Sequence, residues 1–380
     1  MTKSKDLLFI FLTSTCLGLF YIVDTLLFSA SASLVGNEKQ KTSVFKRVDT
    51  TPELTEKLPF SQNYKNPCWY EAAPELGKKL HCLPYYYVIG VPKCGTTDLC
   101  RRIMMHPSIS NKVMKGNHWL TSFRFGKFRE LSNYLRLFDY AVETDIRRKR
   151  NQDGFHNVIF GDCTPSISWN NRHMILQAKR DNKTVEPLSN AEIIKHLNPN
   201  SKIIVILRNP VERVYSEYLF FNGADNNPTE FHKRVVNSVS NMSACLQTDT
   251  LRTCIYSRPI NSSHRKAEMV RLQVGVYHVF LEDFIKVFGR QQILIIKLEN
   301  YSYHINQTMN KIFSFLDVGR VADPELNKNI TTSSPANTRS GGDKLLGDML
   351  PETRRILTEF YRPYNERLTE LLGPEFNYTM

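Results

Sequence analysis

Acidic side chains are in short supply in this chain. Asp and Glu number 37 against 50 Lys and Arg, leaving a formal net charge of +13. A balance that basic favours an anionic partner: nucleic acid, an acidic membrane or an acidic polysaccharide. No internal repeat is present, which excludes a repeat architecture. Histidine and cysteine show no compact ligand spacing beyond Cys245 and Cys254, so the sequence calls for no metal. Long hydrophobic runs are confined to the N-terminus. What remains is ordinary: 41% hydrophobic and 23% charged residues over 380 positions, enough for a full core and against wholesale disorder.

The N-terminus narrows the choice of partner. Lys3 and Lys5 precede an apolar or small run from Leu7 to Val23, which Asp24 interrupts before Thr25-Leu26-Leu27-Phe28. Its length is at the lower limit for a bilayer span, and the basic flank places the N-terminus in the cytoplasm. Residues 7–30 are therefore expected to form a signal anchor after a cytoplasmic tail of residues 1–6. Ala30-Ser31-Ala32 keeps a cleaved signal peptide open as the alternative. Either route delivers the rest of the chain to the secretory pathway. Seven N-x-S/T sequons agree, at Asn182, Asn241, Asn261, Asn300, Asn306, Asn329 and Asn377. In an oxidising lumen Cys245 and Cys254 can close a short disulfide loop, with Cys68 and Cys82 a weaker second pair. Nucleic acid is set aside as a partner.

Residues 31–66 are polar, lack periodicity and are expected to form a stem, leaving 67–380 as the lumenal domain. Tyr85–Ile89, Asn157–Phe160, Lys202–Leu207 and Ile293–Lys297 have the composition of buried strands. Helical spacing covers Thr97–Met105, Ala191–Leu197, Thr308–Leu316 and Pro351–Leu372. Alternating apolar strands and helices imply an α/β domain, a three-layer sandwich around a parallel sheet. The basic run Arg147-Arg148-Lys149-Arg150 is a solvated loop, an acidic-polymer contact or a protease site.

The strongest local signal is Gly90-Val91-Pro92-Lys93-Cys94-Gly95-Thr96-Thr97, between the first of those strands and a helix. Backbone N–H groups and a positive helix end there suit an anion. Thr96 stands where the nucleotide P-loop places its lysine, which disfavours an ATPase or kinase. Lys93-Cys94-Gly95-Thr96-Thr97 instead resembles the K-x-G-T-T loop of carbohydrate sulfotransferases. Arg208-Asn209-Pro210-Val211-Glu212-Arg213-Val214-Tyr215-Ser216-Glu217-Tyr218 is similar to that family's 3′-phosphate motif, again after a strand. The resemblance spans roughly Pro67 to Gly373. It implies a nucleotide-kinase-like fold and 3′-phosphoadenosine-5′-phosphosulfate (PAPS) as co-substrate, with no metal. It gives Lys93 the bridging oxygen and leaving phosphate, the loop Cys94, Gly95, Thr96 and Thr97 the 5′ group, and Arg208 with Ser216 the 3′-phosphate. Arg213 is expected to pack or form an ion pair. Arg339, in Asn337-Thr338-Arg339-Ser340-Gly341-Gly342, is expected either near the donor or in a surface loop.

The acceptor hydroxyl needs a base. Many glycosaminoglycan sulfotransferases carry K-E-x-H-[FW], but Lys115-Gly116-Asn117-His118-Trp119 has glycine where that glutamate stands. His118 is the first candidate base, and Asp162, in Gly161-Asp162-Cys163-Thr164-Pro165-Ser166, the second. Lys115 and Trp119 are assigned to the acceptor, Lys115 binding its sulfate or carboxylate or else neutralising charge at the sulfuryl group. Tyr86-Tyr87-Val88-Ile89-Gly90, Lys115–Trp119, Leu350-Pro351-Glu352-Thr353 and Phe360-Tyr361-Arg362-Pro363-Tyr364-Asn365 resemble the N-acetylgalactosamine 4-sulfate 6-O-sulfotransferase branch. That implies a chondroitin or dermatan acceptor and a Golgi type II membrane protein. A heparan or uronyl O-sulfotransferase, or an inactive sulfated-glycan binder, is the alternative.

Overall fold

The structure is a computed structural model that describes residues 57–73, 77–171, 189–222, 227–256, 269–336, 341 and 345–378. The expected anchor and most of the expected stem lie outside these residues. No helix among the described residues is long and apolar enough to cross a membrane.

Asn66, just before the expected start at Pro67, is already tied into the packed part of the chain. It is buried, donates to the Leu83 carbonyl at 2.7 Å and accepts from Phe160 N at 3.0 Å. An antiparallel hairpin follows, β1 (Cys68–Ala73) and β2 (Gly77–Cys82). Its end residues are joined by the Cys68–Cys82 disulfide, so the second cysteine pair is present.

Then the α/β part begins. β3 (Tyr86–Gly90) leads into α1 (Thr96–Ile103), and α2 (Leu131–Arg136) precedes β4 (Gly161–Asp162). Next come α3 (Asn190–Leu197) and β5 (Lys202–Leu207). α3 starts at a reciprocal capping box between Ser189 and Glu192. After β5 run α4 (Pro210–Asn222), α5 (Pro228–Leu246), α6 (Leu251–Tyr256) and α7 (Tyr277–Phe288). The chain closes with β6 (Ile293–Lys297), α8 (Leu298–Tyr303), α9 (Ile305–Phe315), α10 (Pro324–Thr332) and α11 (Pro351–Leu372).

Four strands form one sheet in the order β4-β3-β5-β6, every neighbouring pair parallel. All of β3 and Ile203–Leu207 of β5 are buried, the mark of a sheet covered on both faces. The strand expected at Asn157–Phe160 is displaced to Gly161–Asp162, with Gly161 beside Tyr86. A β-carbon at Gly161 would collide with the Tyr86 ring, so only glycine fits this register.

From β3 the chain leaves to β4 on one side, whereas β5 leads to β6 on the other. The sheet's topological switch therefore lies between β3 and β5, where ligands of such sheets bind beyond the strands' C-terminal ends.

Candidate active site

Both phosphate motifs emerge at that switch. Gly95 caps α1 with φ 84 and, as glycine, offers no side chain of its own to the first N–H groups of the helix. The positive φ favours glycine, and a β-carbon at Gly95 would also press on the tip of the Leu298 side chain, 2.8 Å away. Lys93 adopts φ 68, an uncommon conformation for a residue with a β-carbon. Its carbonyl accepts from Arg208 Nη1 at 3.2 Å, joining the loop after β3 to the residue that follows β5. The Lys93 Nζ lies 3.5 Å from the centre of the Phe220 ring. Cys94 points inward: it is buried, unbridged, and its thiol is pushed up to about 12 by burial. It is therefore no nucleophile. Tyr277 donates to the Arg208 carbonyl at 2.8 Å and supports the strand end from below.

The sequence after β5 explains its own geometry. Asn209 caps α4, accepting from Val211 N at 2.9 Å, and Pro210 takes the first helical position, where no N–H is missed. Asn209 N donates to Glu299 at 2.9 Å, which fixes the turn. Ser216 lies half-buried two turns into α4. Arg213, as expected, makes an ion pair: it is fully buried against Glu217 at 2.9 Å and donates to the Arg271 carbonyl at 2.7 Å. Burial alone would raise the Glu217 carboxyl, but the charges of Arg271 and Arg213 hold it below its ordinary value.

A third loop approaches from the β4 side. Gly116 N donates to the Cys163 carbonyl at 3.0 Å, and Ser168 N donates to the Ile89 carbonyl at 3.0 Å. The segment after β4 thus touches both the Lys115–His118 loop and the end of β3. A disulfide between Cys100 and Cys163, unanticipated in the sequence, staples this segment to α1. His118 has φ 54, and its Nδ1 lies 2.9 Å from Ser166 Oγ. Ser166 Oγ is in turn 3.1 Å from Thr121 Oγ1. Gly116 flanks the other ring nitrogen; a β-carbon there would sit 3.5 Å from Nε2. Lys115 is lowered to about 8, first by burial and then by the charge of Lys93. Two ammonium groups near enough to repel each other would both be relieved by an anion between them.

Two assignments change. Trp119 does not line an acceptor surface: it is buried, stacks on Tyr134 at 4.7 Å and donates to the Phe128 carbonyl at 2.8 Å. Asp162 is 0% exposed, its oxygens accepting from Tyr134 at 2.8 Å and Thr164 at 2.6 Å. Burial raises its carboxyl despite these bonds. That is the setting of a positioning group, not of a base that meets an incoming hydroxyl. Arg339, Asn182 and Asn261 lie outside the described residues. Asn241, Asn300, Asn306 and Asn329 are exposed, Asn377 is half-buried, and the Cys245–Cys254 disulfide is formed. Ser166, Tyr277 and Phe220 were not singled out in the sequence. Ser166 alone had a signal there, as the last residue of a stretch already noted.

Residues 84–356 match the sulfotransferase domain family. The chain is 36% identical to carbohydrate sulfotransferase 15 of Homo sapiens over 81% of its own length and 57% of that protein's. It is 23% identical to heparan sulfate glucosamine 3-O-sulfotransferase 6 of Homo sapiens, covering 78% of this chain and 73% of that one. A sulfotransferase structure from Alicyclobacillus acidocaldarius aligns with TM-score 0.48 at 20% identity, covering 77% of this chain and 96% of that one. The chain belongs to the sulfotransferase family. It spans little more than half the length of the human carbohydrate sulfotransferase it matches.

Proposed function

We propose that this chain is a PAPS-dependent carbohydrate O-sulfotransferase acting on a glycosaminoglycan. Its acceptor is the 6-hydroxyl of N-acetylgalactosamine, including 4-sulfated residues, in chondroitin or dermatan sulfate. The observation that carries this reading is the junction of the two phosphate motifs, Arg208 Nη1 on the Lys93 carbonyl at the switch of the sheet. The residues fit the donor. An N-terminus of α1 without a side-chain cap and the mutually repelling Lys93 and Lys115 suit a 5′ anion. Arg208 and half-buried Ser216 suit a second phosphate on the β5 side.

When bound, the donor supplies a sulfuryl group already activated by its anhydride link to phosphate. Lys93 then stabilises the charge that collects on the leaving phosphate, the electrostatic work such a transfer chiefly needs. Lys115 adds a second positive charge at the same place. His118 removes the acceptor proton: an Nδ1–H that donates to Ser166 leaves the lone pair on Nε2, beside Gly116. Asp162 and Trp119 hold this loop from beneath.

Three disulfides among the described residues and four exposed sequons support a lumenal home, and with the N-terminal apolar run a Golgi type II protein. Calorimetry with 3′-phosphoadenosine-5′-phosphate tests the donor assignment. Wild type should bind it, prefer it over ATP, and lose that preference in Arg208→Ala. Equal affinity for both nucleotides would sink the assignment. A glycan-binding protein without catalysis is the second reading, favoured by Gly116 in place of the usual glutamate. Such a protein would tolerate Lys93→Ala without loss of function.

A further inference from the structure

The catalytic assignment of Lys93 leaves a physical problem unsolved. A lysine side chain is rich in rotamers, and this one sits within range of a second ammonium, Lys115. A carboxylate beside it would fix the tip but cancel the charge that an anionic donor requires. The face of an aromatic ring holds an ammonium and leaves its charge intact.

Phe220 has that geometry. The residue is 50% exposed, yet its ring centre lies only 3.5 Å from Lys93 Nζ. It stands on α4 one turn after Ser216, so the two side chains share a helix face. The ring is braced edge-on by Phe221, with centroids 4.9 Å apart and planes at 87°. Phe221 lies under the Arg271 guanidinium, 5.3 Å away, and Arg271 is tied to Glu217. Lys93 is thus gripped at both ends, its carbonyl by Arg208 and its ammonium by Phe220.

We propose that Phe220 is a positioning residue that holds the Lys93 ammonium at the donor site by a cation–ring contact, keeping its charge available. The inference rests on the reading of Lys93 as the group that faces the leaving phosphate. Contact strength follows the negative potential of the ring face, which fluorine substitution drains with little change in ring size.

Full-length protein carrying 4-fluoro-, 3,5-difluoro- and 3,4,5-trifluorophenylalanine at position 220 provides the test. kcat should fall stepwise, about two- to fivefold in total, the range exposed cation–ring contacts span. The donor KM and the melting temperature should stay level along the series. Phe220→Trp should retain activity and Phe220→Leu should match the trifluoro protein. A second readout needs no turnover: the fluorine resonance of 4-fluoro-Phe220 should move when Lys93→Met removes the cation. A flat kcat along the series, or a resonance indifferent to Lys93→Met, would overturn the inference. If wild type transfers no sulfate while the resonance still responds, the contact stands but its catalytic purpose falls with the function.

Discussion

Lys115 makes the site sensitive to pH in a direction that can be stated. Its ammonium, lowered to about 8 by burial and by Lys93, is charged below that pH and neutral above it. A bound anion favours the charged form, so donor binding takes up a proton above pH 8. Affinity for 3′-phosphoadenosine-5′-phosphate should therefore fall between pH 7 and 9.5, by up to about tenfold per unit. Lys115→Arg, which stays protonated, should flatten that profile; an unchanged slope would remove Lys115 from the donor site. Stability should run the other way. The unfolded chain holds this proton to higher pH than the folded one, so from about 8 upward the Lys115 contribution to stability rises with pH. On the proposed role of His118 as the base, His118→Ala should lose about 10²- to 10⁴-fold in kcat. Asp162→Asn, which preserves shape beneath the loop, should stay within about tenfold of wild type. The reverse ranking in a transfer assay would make Asp162 the base. That Lys93 and Arg208 come together was legible in the sequence because each belongs to a contiguous motif at a strand end. Trp119 was misassigned because whether an aromatic faces a ligand or Tyr134 depends on residues far along the chain.

At the scale of elements, the Cys100–Cys163 bridge joins α1, which carries the phosphate loop, to the segment that seats His118. It closes a loop of 63 residues, for which chain entropy predicts about 4 kcal/mol of stabilisation at most. Cys100→Ala/Cys163→Ala should lower the urea midpoint accordingly. A midpoint unmoved would mean that the packing around Ile103 and Phe160 holds these elements unaided. Lys202–Leu207 was legible as a strand because an unbroken β-branched run leaves few alternatives, and Pro351–Leu372 as a helix because its apolar spacing persists. The β1–β2 hairpin was not, since Lys78 and Lys79 break the apolar alternation on a strand held largely by backbone pairing and a disulfide. Nor was the two-residue β4, whose place is set by Gly161 fitting against Tyr86.

For the whole molecule the governing quantity is charge. A net +13 suits a polyanionic acceptor, and the attraction acts over distances that salt screens. The KM for a chondroitin chain should rise steeply between 50 and 300 mM NaCl, whereas kcat at saturating acceptor should change little. A salt-independent KM would mean that the overall charge contributes little to acceptor capture. The most direct test of the central claim is transfer of radiolabelled sulfate from PAPS by the purified protein. Desulfated and 4-sulfated chondroitin, dermatan and heparan chains would be offered in parallel, beside the Lys93→Ala variant. The account predicts label at the 6-position of galactosamine residues, with a loss of about 10²- to 10³-fold in Lys93→Ala. Label confined to heparan would contradict the acceptor, and no label on any chain would contradict the enzyme itself.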